Sequence, residues 1–530
     1  MRWLLLVPLL AWAALGPWVL VAAAGMLAVP RFRWWVRDRL RITVRGAAIG
    51  AGTLVLVVGA VVLLPAGLMP IPPSPGLAVA PSYVGRPAIT EPVGAAEVPQ
   101  HPHLARNGTA RDNGDAWATN AYTWAGPTGS ETEVDTAWFG REQCMRLVSD
   151  TRNRLIALCG RGSDLSLQIL DPESMRPLAV KRLPGRAQED EGVAARVCGT
   201  TMYLDNDDRA VLATTDRRIL AVATADGEER AELTTADSWD LAPYVPPGDC
   251  LVSVLPDWSG RIWWVSRRGL VGTLAAHSGQ VEVIDLDEQV VTSLAADSDG
   301  SVYLTSDHAL YRLVVGAGGA PRVSWRTAYD RGDRTKDGQL SRGSGSGPTL
   351  LEGDVVAIAD NAEPRLNVLF VRRDTGEEIC RLPVFDDDAS ATATSLVSVG
   401  HGVVVANNHG YTNRLSTALG RTTSPGLARV DVADSECSLV WTAPLSVPSA
   451  GVKVSWETGL AYAYTKRRSA WGVPAWYLSA VDVHTGRHQF SVRTGTGALF
   501  DNARGPLVVT PGGAAYVATV AGLVRVRDHE

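Results

Sequence analysis

Four pairs of hard oxygen donors are the residues best suited to chemistry. Asp360-Asn361 follows the run VVAIA and Asn407-Asn408 follows VVVA. Asp205-Asn206 follows MYL, and Asp501-Asn502 precedes LVVT. Carboxylate and amide oxygens in this number suit Ca²⁺, which takes about 6–8 oxygens at about 2.3–2.6 Å. The same residue types at strand ends also close Asx turns with their own backbone, a purely structural use. The chain has no HExxH and no Cys/His cluster with zinc spacing. Gly343-Ser344-Gly345-Ser346-Gly347 does not match G-x-S-x-G, since its central residue is glycine, and reads as a loop. Arg331-Gly332-Asp333 and Asp386-Asp387-Asp388 read as solvated polar loops. No nucleophile with an attendant base emerges, so catalytic residues are unassigned.

Six cysteines, Cys144, Cys159, Cys198, Cys250, Cys380 and Cys437, all lie beyond residue 140. An even count fits disulfides in an oxidising compartment, and six cysteines allow fifteen connectivities. Free thiols in a reducing compartment are the alternative. The 530 residues carry a net charge of -6, without the basic face of a nucleic-acid binder. Lysine occurs only at Lys181, Lys336, Lys453 and Lys466. That scarcity, with abundant Arg, Ala, Gly and Val, reads as the codon bias of a GC-rich, actinobacterial-type genome.

Short β-rich runs must position these residues. Beyond residue 135 they recur between Gly, Asp and Ser turns every ~40 to 45 residues, the period of a propeller blade. The clearest unit spans 291–328, with strands VTSLAAD, SVYLTS, ALYRLVV and RVSWRTA. Units at 251–285, 348–384, 394–441 and 452–492 repeat it, and 144–183 and 194–233 fit more loosely. The last unit, 506–527, offers only three strands. A fourth strand from 115–139 would close the ring. The fold class is therefore all-β: an eight-bladed β-propeller over 115–530, with seven blades or a two-domain β-sandwich as alternatives.

On this reading Cys144 and Cys159 flank a hairpin, and Cys198 and Cys250 begin inner strands of neighbouring blades. Cys380 and Cys437 fall on outer strands of adjacent blades, where pairing is harder. The starts of innermost strands and the ends of the second strands share one mouth of the channel. All four Asp/Asn pairs are accordingly expected there.

The segment AVDVHTGRHQF, 480–490, resembles the A-x-D-x-x-T-G-x-x-x-W repeat of PQQ-like (quinoprotein-type) β-propellers, with weaker copies at Asp374-Thr375-Gly376 and Asp171-Pro172-Glu173-Ser174. The resemblance implies the fold and not the cofactor. Quinoprotein dehydrogenases seat PQQ on a disulfide of adjacent cysteines, and this chain has no Cys-Cys pair, which argues against PQQ. The axial donors resemble those of the gluconolactonase, paraoxonase and strictosidine-synthase group of propellers. That implies a calcium-dependent hydrolase of lactones or esters, although those rings usually have six blades.

The first 68 residues differ in kind. Stretches 4–29 and 47–68 carry no charge and are each long enough to cross a bilayer as a helix. The loop 30–46 between them holds six arginines against Asp38, with Trp34 and Trp35, which places it in the cytoplasm by the positive-inside rule. The remainder then lies outside. A cleaved signal peptide is the rival reading of the first stretch. Residues 69–114 carry repeated prolines and read as an extended extracytoplasmic spacer. The resulting expectation is a membrane-anchored binding or scaffold propeller for a protein or cell-envelope ligand, with no nucleic-acid partner.

Overall fold

A computed structural model describes residues 6–40, 48–53, 55–56, 59, 65–89, 91–140, 142–185, 197–225 and 231–529. Its strands form eight sheets arranged as an eight-bladed β-propeller. Blades 1 to 7 run in chain order over 143–183, 202–240, 251–285, 295–328, 349–383, 397–443 and 453–496. In each, four consecutive antiparallel strands pass from the axis outward. Blade 8 takes three strands from 507–528, and Thr132–Trp138 completes it by pairing antiparallel with Gly522–Asp528. Closure thus joins the two ends of the domain, as the missing fourth strand required.

The inner three strands of most blades are continuously buried and apolar. The outermost strands of blades 1 and 4, Pro177–Leu183 and Pro321–Ala328, alternate, with one face to water. Neighbouring blades are keyed together at the repeated turns. Gly486 adopts φ 71° and Gly376 φ 76°, and a Cβ on either would stand 2.6 Å from a ring atom of Trp441 or Trp325 of an earlier blade. The indole Nε1 of Trp441 donates to Val483 O at 2.8 Å, and that of Trp325 to Arg373 O at 2.9 Å. Asp482 and Asp171 accept backbone N–H groups within their own turns. This is the physical content of the repeat read in the sequence: Asp shapes the turn, and Gly leaves room for the indole.

The disulfides pair Cys144 with Cys159, Cys198 with Cys250, and Cys380 with Cys437. The first crosses a hairpin of blade 1. The other two staple blade 2 to blade 3 and the outer strands of blades 5 and 6. Three disulfides suggest an extracytoplasmic setting.

The described part of the first uncharged stretch forms α1 (Leu6–Leu15) and α2 (Trp18–Ala28), broken at Gly16, φ 87°, and Pro17, a pair that bends a helix. The Arg-rich segment continues as α3 (Pro30–Leu40). No single described helix is long and apolar enough to cross a membrane; α2 with residues 30–38 passes that test only as a pair bent by 98°. Much of 47–68 lies outside the described residues, of which 48–53 are helical.

Described parts of the proline-rich segment pack against the propeller. Tyr83–Gly85 adds to the outer edge of blade 7, and Ile71, Ala80, Ala96 and Leu104 are buried. An extended, proline-compatible backbone is what an edge strand requires, so proline spacing alone does not separate a linker from a strap.

Candidate functional site

Each innermost strand of a propeller turns one edge of backbone N–H and C=O groups toward the axis, where they need partners. Residues 105–124 supply them. This segment enters the channel as a hairpin whose tip is the Arg111–Gly114 bridge. Its carbonyls at Ala110, Ala116, Trp117, Thr119 and Asn120 accept from Leu204, Ala296, Leu350, Ser398 and Val454 N–H at 2.7–3.2 Å. Five blades are thereby served by successive residues of one plug. Ala121–Tyr122 then pairs in parallel with Lys453–Ser455, and Trp124 Nε1 reaches Val509 O at 3.1 Å. Ala118 and Asn120 hold φ of 57° and 56°, which turns neighbouring carbonyls toward different blades.

The plug leaves a funnel of about 770 Å³ above its tip, on the face where the innermost strands begin. That volume is within the range of small-molecule sites. Among the described residues, the charged lining is Arg111, Arg146, Arg414, Arg504, Lys453 and a single carboxylate, Asp112. Arg111 is 4% exposed and donates to Leu294 O at 2.8 Å, and burial pushes its guanidinium down to about 10. Lys453 is 5% exposed. It donates to Asn120 Oδ1 at 2.6 Å and to Asp112 O, and burial pushes its ammonium down to about 8. Arg146 lies 3.5 Å from Asp112. Beneath the tip, Asp115 is buried and held by Thr119 N–H at 3.2 Å and the Thr119 hydroxyl. Burial raises its carboxyl to about 6. Five cationic groups over one carboxylate, in a partly desolvated concavity, are arranged to receive an anion.

None of the eight axial donors lines this funnel. Asp360 accepts from Ala362 N–H, Asn367 N–H and Asn367 Nδ2, and burial raises it to about 6. Asn361 Nδ2 donates to three carbonyls, of Arg331, Arg334 and Arg342. Asn407 and Asn408 tie the loop after their strand to Ala389, Ala391, Ala393 and Val447. Asp501 accepts from Tyr411, Thr417 and Ala503, and Asn502 Nδ2 donates to Gly505 O and Ala518 O.

Asp205-Asn206 lies elsewhere. Met202–Leu204 is the innermost strand of blade 2 and not its second, so this pair is at the opposite face. Asp205 occupies the same turn as Asp150, Asp257 and Asp297 of blades 1, 3 and 4. It accepts from Asp207 and Arg209 N–H as Asp150 does from Arg152 and Arg154. The innermost strand of blade 2 is only three residues long, and a run this short carries no mark that separates it from a second strand. Among the described residues no group of three or more His, Cys, Asp or Glu is placed to hold a metal.

The fold defines the class, an eight-bladed β-propeller, and the comparisons add relatives without a role. No family model matches the chain. It is similar to an uncharacterized protein of Archaeoglobus fulgidus, 25% identical over 321 residues, 53% of this chain and 62% of that protein. The chain thus spans under two thirds of the length of the relative it matches. Among solved structures, BamB from Moraxella catarrhalis aligns over 60% of this chain and 90% of its own, with 14% identity and a TM-score of 0.33.

Proposed function

We propose that this chain is a membrane-tethered, extracytoplasmic binding propeller whose funnel holds anionic groups of a cell-envelope polymer. The observation that carries the reading is the lining: Arg111, Arg146, Arg414, Arg504 and Lys453 around one carboxylate, floored by a plug. Tethering is supported by the uncharged N-terminal stretches and the arginines of α3, and the outside location by three disulfides. The test is titration of the full chain, in detergent micelles, with polyphosphate as a soluble polyanion. Binding that weakens with salt, and at least about tenfold in Arg414→Ala and Lys453→Met, is expected from the loss of charge-assisted contacts. Equal binding by both variants and the parent overturns the reading.

A second reading, a calcium ion held at this mouth of the channel, rests on one atom. Among the described residues Asn361 Oδ1 is buried beside Asp360 with no hydrogen-bond partner, an oxygen able to ligate a cation. If Ca²⁺ binds there, EDTA lowers the melting temperature of the parent and leaves that of Asn361→Ala unmoved. A parent indifferent to EDTA removes this reading.

A further inference from the structure

On the funnel's face, two loops of blades 6 and 7 meet beside α1 and α2. In the first, residues 413–421, Asn413 Oδ1 accepts from Leu415 N–H at 2.8 Å and caps a 3₁₀ segment, Arg414–Gly420. Asp501 fastens that loop to blade 8 by accepting from Tyr411 and Thr417. The second loop, residues 468–474, joins it through Ser469 N–H to Gly420 O at 2.9 Å. Trp18 Nε1 of α2 donates to Ala470 O at 3.0 Å, and Gly76 N–H donates to Ala13 O of α1 at 2.7 Å.

These tethered loops hold apolar side chains out of the protein. Leu415 and Leu419 are each 70% exposed and Trp471 51% exposed. Leu419 adopts φ 51°, ψ 39°, a left-handed backbone that disfavours a leucine. Strain spent on exposing a large apolar group calls for a partner outside the chain. Arg414, Arg421, Arg467 and Arg468 are exposed around the apolar tips, and neither 409–425 nor 464–478 contains an acidic residue. The apolar edge continues into α2, where Trp18, Leu20, Val21 and Met26 are exposed.

From this juxtaposition we infer that the rim of blades 6 and 7 is a second membrane contact. Leu415, Leu419 and Trp471 enter the outer-leaflet interface of an anionic bilayer, and Arg421, Arg467 and Arg468 engage its headgroups. Apolar tips ringed by arginine and tryptophan suit that boundary, where one side is acyl chain and the other charged. The inference rests on the membrane-tethered reading. It adds that the propeller lies against the bilayer with its funnel facing the headgroups.

The six native cysteines are all in disulfides, so single added cysteines take a nitroxide label selectively. The full chain, labelled at Leu419→Cys, Leu415→Cys, Val21→Cys or Val180→Cys, is placed in nanodiscs of phosphatidylcholine and phosphatidylglycerol. Collisional access to oxygen is compared with access to a water-soluble nickel chelate. Positions 415 and 419 should favour oxygen, as position 21 does, while position 180, on the outer strand of blade 1, favours the chelate. Positions 415 and 419 matching position 180, with position 21 in lipid, overturn the rim contact and leave the tether intact. Position 21 in water overturns the tether and the rim contact together.

Discussion

Three of the four lysines, Lys336, Lys453 and Lys466, are buried, and each donates to a backbone carbonyl. A compact ammonium with three donors suits these carbonyl contacts. The scarcity of lysine was visible in the sequence, yet as composition it pointed only to codon bias. Lys453 gives a pH prediction. Its ammonium is held down to about 8, and a bound anion favours the charged form. Polyanion affinity should fall as pH rises through about 8, and Lys453→Met should flatten that profile. Asp115 acts on stability. Its folded pKa of about 6 lies above the unfolded value, so its contribution is full below about pH 4 and is lost as pH rises through 6. Guanidinium melts across that window should show less pH dependence in Asp115→Asn. Leu419→Gly relieves left-handed strain and should raise stability by up to ~1 kcal/mol.

At the scale of elements, blades were legible because four strands and their turns repeat, and the D-x-x-T-G turn names the point where tryptophan docks. The closing strand followed from a count of three in blade 8. The plug was not legible. Residues 105–124 have neither strand alternation nor helical period, since the segment gives each blade it serves only one or two backbone hydrogen bonds and then bends to another. Trp117 is one of its two buried tryptophans, 5% exposed, with the Arg373 guanidinium 4.7 Å from its ring centroid. Trp117→Ala should cost about 3–5 kcal/mol. It should also speed hydrogen exchange at Leu350 and Ser398 N–H, which the plug satisfies. Asp205 shows the converse limit. An Asp before a turn has the same local sequence at either end of a blade, and only the strand order decides which face it occupies.

Across the whole molecule, a ring of eight sheets is closed by its own N-terminal strand and tied by three disulfides. Loss of Cys198–Cys250, which closes a separation of 52 residues, should cost about 4 kcal/mol in the chain-entropy picture. Reducing agent should therefore lower the melting temperature. Protease added to intact cells should cut the propeller or the strap that leads to it; cleavage only after permeabilisation would reverse the orientation. The central claim is that the plugged, cationic funnel is the binding site. Hydrogen exchange of the full chain, with and without polyphosphate, addresses it most directly. Protection concentrated at residues 110–120 and around Lys453 and Arg414 is the predicted result. Protection confined to the opposite face, or none at the plug tip under saturating polyphosphate, would contradict it.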